Sequence, residues 1–299
     1  MILAWGIMSD DTMLSVYNWL KILHADIYFL NHSAIEGSRM KFSSTTHSYQ
    51  LYDCGQTVPL ENITAAYLRP YDFRQYEPIA ENSNQARKFT IRANQFHFLI
   101  NAWAESSNAK LINKPSAEAS NHSKLFQSRI IQPCGFAVPE SLVSNDWETI
   151  RLFASGFKGL IYKSMSSIRS IVKEISLSEL HSRADKIGPG FFQEKISGKN
   201  IRVHVIGGQV FSCLIESNEI DYRYAPHMIS TIEIPSDIQS KCLLLTQKLG
   251  LLIAGIDLMV TADLKWYCLE VNPNPGFSFY DVSDEKNIAR AVAELLTNS

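Results

Sequence analysis

The sequence predicts a mixed α/β protein built from more than one compact region, and three observations carry that reading. Apolar strand-like runs alternate with helical periodicity as far as Lys114. From Gly190 the texture changes to strand after strand, with Gly207–Gly208 at a hairpin turn. A chain of 299 residues also exceeds what one hydrophobic core usually organises.

Taken in order, "MILAWGI" reads as a buried strand. "DDTMLSVYNWLKIL" reads as a helix on the spacing of Leu14, Tyr17 and Leu20, opened by Asp10 or Asp11 as a cap. "ADIYFL" and "ITAAYLRP" are further strands, the second stopped by Pro70. From about Asn82 to Ser106, Ala86, Phe89, Ala93, Phe96, Ile100 and Trp103 fall on one helical stripe, and "KLINKP" returns as a strand. These elements make an open α/β region over 1–114. A second region, 115–189, holds a helix ending at Gly135, a strand in "FAVPESLVS", a short helix from Asn145–Asp146 and the strand "GLIYKS". The third, 190–299, runs through "FFQEKI", "NIRVHVIGG" and "QVFSCLIES". A helix near Asp237–Leu249, the strands "LLIAGIDLMVT" and "KWYCLEVN", and a terminal helix from about Asp284 complete it.

Composition narrows the function classes. The chain is 45% hydrophobic and 19% charged with a net charge of −2, and no basic stretch suits a nucleic-acid surface. Five dispersed cysteines with no C-x-x-C pair read as reduced thiols of a cytoplasmic protein. No apolar run has membrane-spanning length. G-x-S-x-G, G-x-x-x-x-G-K-[ST] and H-E-x-x-H are all absent.

One hairpin stands out. If the turn between "LLIAGIDLMVT" and "KWYCLEVN" is centred between Asp263 and Leu264, Asp257 sits directly opposite Glu270, and Asn272 shares their face. Like charges in that position destabilise a sheet. A divalent cation resolves the conflict, and two carboxylates with an amide oxygen suit Mg²⁺. A solvent-facing hairpin with ordinary surface acids fits the same spacing equally well.

"GIDLMV" and "CLEVNPNPG" together resemble the C-terminal metal signature of ATP-grasp ligases, in the branch of ribosomal protein glutamate ligase and the microviridin-type peptide-modifying ligases. Other segments fit in the same order: "NKPSAEASNHSKLFQSRIIQPCGFAVPESLVSND", "GLIYKS", "FFQEKISGKNIRVHVIGGQV" and "IESNEIDYRYA". The resemblance covers about Asn113 to the C-terminus. It implies the ATP-grasp fold, with 1–114 as the domain preceding it, 115–189 as the lid and 190–299 as the region bearing the metal site.

The resemblance also implies roles. Lys124 and Lys163 would neutralise ATP phosphates, Gln193 would hold the adenine amino group, and the backbone of Glu194, Lys195 and Ile196 would meet the ring edge. Asp257, Glu270 and Asn272 would hold two Mg²⁺ ions, with Mn²⁺ as the substitute. Arg202 and Lys163 would steady the transferred phosphoryl group. Arg223 and Arg202 would face the substrate, and Arg69, with Arg74, is either a further carboxylate holder or a structural ion pair. His204, beside Arg202, reads as a structural histidine. Two departures stand out. The segment after Lys163 is rich in serine where many relatives carry a glycine-rich flap, and Ser166 among them would donate hydrogen bonds to the nucleotide instead. Asn200 stands where aspartate is frequent. The activity implied is ATP-dependent carboxylate–amine or carboxylate–hydroxyl ligation through an acyl phosphate, on an amino acid or peptide, ribosomal precursor peptides included. The alternative is an inactive nucleotide-binding regulator. A homodimer is the default assembly.

Overall fold

The structure is a computed structural model and describes residues 1–46, 48–70, 84–163, 172–176, 179, 190–217, 228–282 and 287–298. In chain order its first part forms β1 (Ile2–Gly6), α1 (Asp11–Ile22), β2 (Ile27–Asn31), β3 (Arg39–Ser43), β4 (Ser48–Asp53), β5 (Gln56–Pro59), β6 (Ala65–Leu68), α2 (Asn84–Ser106), β7 (Lys110–Ile112) and α3 (Pro115–Glu118). There follow α4 (Lys124–Ile131), β8 (Ser141–Ser144), α5 (Trp147–Ser155), β9 (Leu160–Lys163), β10 (Val172–Ile175) and β11 (Gly190–Glu194). The last part comprises β12 (Lys199–Ile206), β13 (Gln209–Glu216), β14 (Met228–Thr231), α6 (Ser236–Lys248), β15 (Ile253–Val260), β16 (Trp266–Asn272) and α7 (Asn287–Thr297). The chain divides into two compact units, 1–118 with 251–253 and 274–299, and 119–250 with 254–273.

The first unit is organised by a parallel sheet in the order β2-β1-β6-β7. Every residue of β1 is buried, as its unbroken apolar run requires of a strand covered on both faces. On one face the α2 stripe packs as its periodicity predicts: Ala93, Phe96, Ile100 and Trp103 join Leu3, Trp5, Ala66 and Leu68 in one core. Helix α1 is capped by Asp10, whose side chain accepts the Thr12 N–H. Its buried face corrects the expected stripe: Met13, Val16 and Leu20 are buried, whereas Leu14 is 37% exposed. Leu20 fits both stripes, and the one beginning at Met13 faces the sheet.

The antiparallel sheet β3-β4-β5 was not anticipated from the sequence. Its strands are short and half polar, and its second turn is made by Cys54 (φ 47°) and Gly55 (φ 78°) rather than by an Asn-Gly signal. Helix α7 packs in this unit beside α1, burying Ile288, Ala289, Val292 and Leu296. The buried Asp281 carboxylate accepts the N–H groups of Ile288 and Ala289 at its start. At its end the Lys110 ammonium donates to the carbonyls of Leu295 and Asn298. Both charges complement the helix dipole. The expected boundary at Lys114 therefore lies near the break at 118, but 274–299 packs with the first unit. Asn113 draws 251–253 in as well, donating to the Ile253 carbonyl and accepting from the Leu252 and Ile253 N–H groups.

The second unit carries two sheets, β10-β9-β11-β8 and β14-β13-β12-β15-β16. Strand β11, which opens the third expected region, pairs with β8 and β9. The β12–β13 hairpin turns at Gly207 (φ 55°) and Gly208 (φ 111°), a backbone that favours glycine at both positions. Helix α4 continues through a tight turn to Gly135 (φ 89°), the left-handed cap expected there.

Candidate functional site

The hairpin brings Asp257 and Glu270 face to face, as expected, but by a different route. Near the turn the register is one residue off the expected one: Leu258 pairs with Cys268, Met259 with Tyr267 and Val260 with Trp266. The turn is closed by Thr261 and Lys265, with Leu264 at φ 61°. Leu269 is then the extra residue of a bulge, beyond which Asp257 pairs with Glu270, Ile256 with Val271 and Gly255 with Asn272. The bulge lets Cys268 and Val271 face the core (1% and 0% exposed) while Glu270 and Asn272 share the opposite face with Asp257.

Strand β12 lies next to β15, so Arg202 stands beside Asp257. Its Nη1 donates to Asp257 Oδ1 at 2.7 Å, and Asn272 Nδ2 donates to Asp257 Oδ2 at 3.2 Å. Two residues along the same face, His204 Nε2 accepts from Arg202 Nε at 3.4 Å. Burial first, and the neighbouring guanidinium second, hold His204 well below its ordinary pKa, so it is neutral and able to accept.

Lys124 is the first residue of α4, whose cap Ser123 accepts the Phe126 N–H. Its ammonium donates to Glu270 Oε2 at 2.9 Å. One turn on, the buried Gln127 makes a two-point clamp on β16. Its Oε1 accepts the Val271 N–H and its Nε2 donates to the Val271 carbonyl. Sequence reasoning did not single out Gln127; its signal is a glutamine three residues after the lysine, on the inward face of a short helix. Lys163, at the end of β9, is 7% exposed. Burial pushes the Glu270 carboxyl up, but Lys124, then Lys163 and Arg202, outweigh it and hold the pKa below its ordinary value. Three cations thus face two carboxylates, leaving a surplus of positive charge suited to a polyanion.

Gln193, 6% exposed, donates from Nε2 to Ser141 Oγ at 3.2 Å, which fixes its amide. The N–H groups of Glu194 and Lys195 are taken by the carbonyls of Glu140 and Gly159. Of the three expected ring-edge residues, Ile196 is the one whose N–H is not drawn into these two bonds. A side chain on Gly198 would meet the Val260 carbonyl oxygen at 2.3 Å, so the strand-to-strand loop needs glycine there. Asn200 pairs with Ile215 in β12–β13 and is half-buried. Arg69 lies in the first unit. Its Nε meets Asp10, and its Nη1 donates to Asn274 Oδ1 at 2.8 Å and to the Pro275 carbonyl at 3.1 Å. These contacts are those of an ion pair with Asp10. Ser166, Arg74 and Arg223 lie outside the described residues.

Asp257, Glu270 and Asn272 fit a hard divalent cation: two carboxylates and an amide oxygen on one face of a hairpin, each acid otherwise met by a cation. Among the described residues no three His, Cys, Asp or Glu side chains form a cluster of the kind a thiolate or imidazole site needs.

Residues 155–296 match the family model described as RimK-like ATP-grasp domain. No curated protein sequence matches the chain. Among solved structures, the macrocyclase MdnC from Microcystis aeruginosa, bound to precursor peptide MdnA, superposes with a TM-score of 0.84 at 20% identity, over 100% of both chains. The ATP-grasp ligase PsnB complexed with a minimal precursor gives 0.82 at 26% identity, covering 99% of this chain and 98% of the other. A Chryseobacterium gregarium RiPP-associated ATP-grasp ligase, in complex with ADP and a leader and core peptide, gives 0.83 at 19%, covering 99% and 96%. The chain shares the ATP-grasp fold of these structures, and its residues 155–296 are similar to the RimK-like ATP-grasp domain.

Proposed function

We propose that the protein is an ATP-dependent ligase that activates a carboxylate as an acyl phosphate and transfers the acyl group to an amine or hydroxyl of a peptide. The observation that carries this reading is the pair of opposed carboxylates, Asp257 and Glu270, set among Arg202, Lys124 and the buried Lys163. The set holds no serine, cysteine or histidine nucleophile. It is an arrangement for holding phosphates, and phosphoryl transfer needs mainly positioning and charge neutralisation.

Lys124 and Lys163 would bind the phosphates as point charges. Gln193, held by Ser141, would accept the adenine amino group with Oε1, and the Ile196 N–H would serve the ring edge. Arg202 would offer its fork to the oxygens of the group in transfer, with His204 fixing its angle. Asp257, Glu270 and Asn272 would hold Mg²⁺, which supplies charge neutralisation across the phosphates. A peptide substrate is supported by the precursor peptides that MdnC and PsnB hold in their structures.

Thermal unfolding with ATP, with and without Mg²⁺, tests the site directly. A ligand at about a hundred times its Kd stabilises by roughly 2.7 kcal/mol. A magnesium-dependent shift in wild type that is absent in Glu270→Ala supports the assignment. No shift with any nucleotide removes it. ADP release with candidate precursor peptides then separates a ligase from a nucleotide-binding regulator.

A further inference from the structure

Helix α2 carries two stripes. The inner one, Ala93, Phe96, Ile100 and Trp103, packs on the sheet. The outer one consists of Lys88, Ile91, Gln95, Phe98, Ala102 and Glu105, at alternating steps of three and four, and every one of them is exposed. Ile91 is 51% exposed and Phe98 76%, with Leu99 beside them at 38%. Single exposed apolar residues are ordinary on a folded protein. An isoleucine and a phenylalanine seven apart on a three-four seam are the pattern of a helix that packs against another helix.

The charges on this seam select the partner. Lys88 lies near its start and Glu105 at its end. Lay a second α2 antiparallel on the first, with the twofold axis level with the step from Phe96 to His97. Lys88 then stands opposite Glu105 of the second copy, Ile91 opposite Ala102, and Gln95 opposite Phe98. Symmetry makes each pair twice. The two Phe98 rings fall in adjacent layers at the centre, and an ion pair closes each end. The Ser116 N–H donates to Glu105 Oε1, which holds that carboxylate in place and leaves Oε2 for the lysine. A parallel pair would instead set Lys88 on Lys88 and Glu105 on Glu105, which like-charge repulsion opposes. An antiparallel pair slid by one heptad would press Lys88 onto Phe98 and leave Glu105 without a counter-charge. The first register alone matches both charges and keeps both large apolar side chains in the seam.

We propose that the outer face of α2 is a docking surface for the same face of a second copy of this chain, paired antiparallel through Lys88, Ile91, Gln95, Phe98, Ala102 and Glu105. The proposal stands on the first unit alone and does not depend on the ligase reading. One helix against one helix is smaller than a standard interface of about 800 Å² per partner, so the dimer is a weak one, with a Kd on the order of 10 µM. Gln95, the uncharged polar residue of the two central layers, fixes the register at some cost in affinity.

Sedimentation velocity of the full chain, from about 2 to about 200 µM, brackets that Kd and tests it. The proteins are wild type, Phe98→Glu, Lys88→Glu, Glu105→Lys and the double variant Lys88→Glu/Glu105→Lys. Wild type should pass from monomer to dimer across the range. Phe98→Glu sets two carboxylates in the central layers and should stay monomeric throughout. Each single charge reversal enters the dimer twice and should weaken it about tenfold or more, whereas the double variant restores opposite charges at both ends and should return to within a few-fold of wild type. Phe98 and Lys88 are exposed, so their variants keep the wild-type Tm. Glu105→Lys also gives up the Ser116 bond, so its circular dichroism is compared with wild type, and Phe98→Glu and Lys88→Glu decide the matter if it is misfolded. Wild type that stays monomeric at the highest concentration overturns the proposal. So does a dimer that Phe98→Glu leaves intact, which places the interface elsewhere, or a well-folded double variant no better than the single ones, which excludes this register.

Discussion

Asp257 and Glu270 are direct cross-strand partners, and each carboxylate is met by a different cation, Arg202 for the first and Lys124 for the second. The pairing explains why both acids are tolerated in a sheet. It also predicts that neither can be removed without loss of chemistry. Glu270→Ala should lower ADP formation by about a thousandfold, the scale of a lost metal ligand. Its circular dichroism should match wild type, because the side chain lies on the site face and not in the core. Turnover within tenfold of wild type, in a well-folded Glu270→Ala protein, would remove this residue from the site.

Arg202→Lys separates charge from shape. Lysine keeps the positive charge but cannot bond Asp257 and His204 at once from a rigid fork. On the proposed reading, in which the fork acts on charge that develops during transfer, the expected outcome is a fall in kcat of about a hundredfold, with KM for ATP changed only a few-fold. A KM effect with kcat preserved would make Arg202 a ground-state phosphate binder.

Gln127→Ala tests the clamp behind Lys124. The substitution leaves the Val271 N–H and carbonyl without their side-chain partner in a buried place. Two lost hydrogen bonds cost about 2–3 kcal/mol. Lys124 also loses the anchor one turn behind it, so affinity for ATP should fall several-fold in calorimetry. Unchanged affinity with reduced stability would confine Gln127 to the fold.

Glu270 and Asn272 share a face at any register, being two residues apart, but the pairing of Asp257 with Glu270 depends on the register. The assumed turn was one residue out, and the Leu269 bulge made up the difference. No local rule marks that bulge; it exists because Cys268 and Val271 both need the core face. The α2 stripe was legible because four large or tightly packed residues share one period. The α1 face was not, since Leu20 belongs to two stripes and only the sheet selects between them. Sheet β3-β4-β5 escaped because its strands are half polar and its turn uses Cys54 at positive φ. The return of 274–299 to the first unit is a long-range choice set by Arg69 and Lys110, and that of 251–253 by Asn113, each an unremarkable polar residue until its partner is known.

His32 predicts the acid limit of the first unit. It is 2% exposed and its ring lies 5.1 Å from Trp5, with His97 5.2 Å from the same ring and 6.5 Å from His32. Burial, with His97 adding, lowers His32 to about 4 from its ordinary 6.5, and burial lowers His97 as well. The folded-state value is the lower one, so the unfolded chain binds the proton more tightly. The stabilising contribution is therefore complete above about pH 6.5 and is lost as pH falls toward 4. At 1.36 kcal/mol per pH unit the full loss is roughly 3 kcal/mol. Urea unfolding of wild type and His32→Gln between pH 7 and pH 4 measures it. The wild-type free energy should fall more steeply than that of the variant, and the two curves should converge at the acid end. Parallel curves would show that another group carries the acid sensitivity.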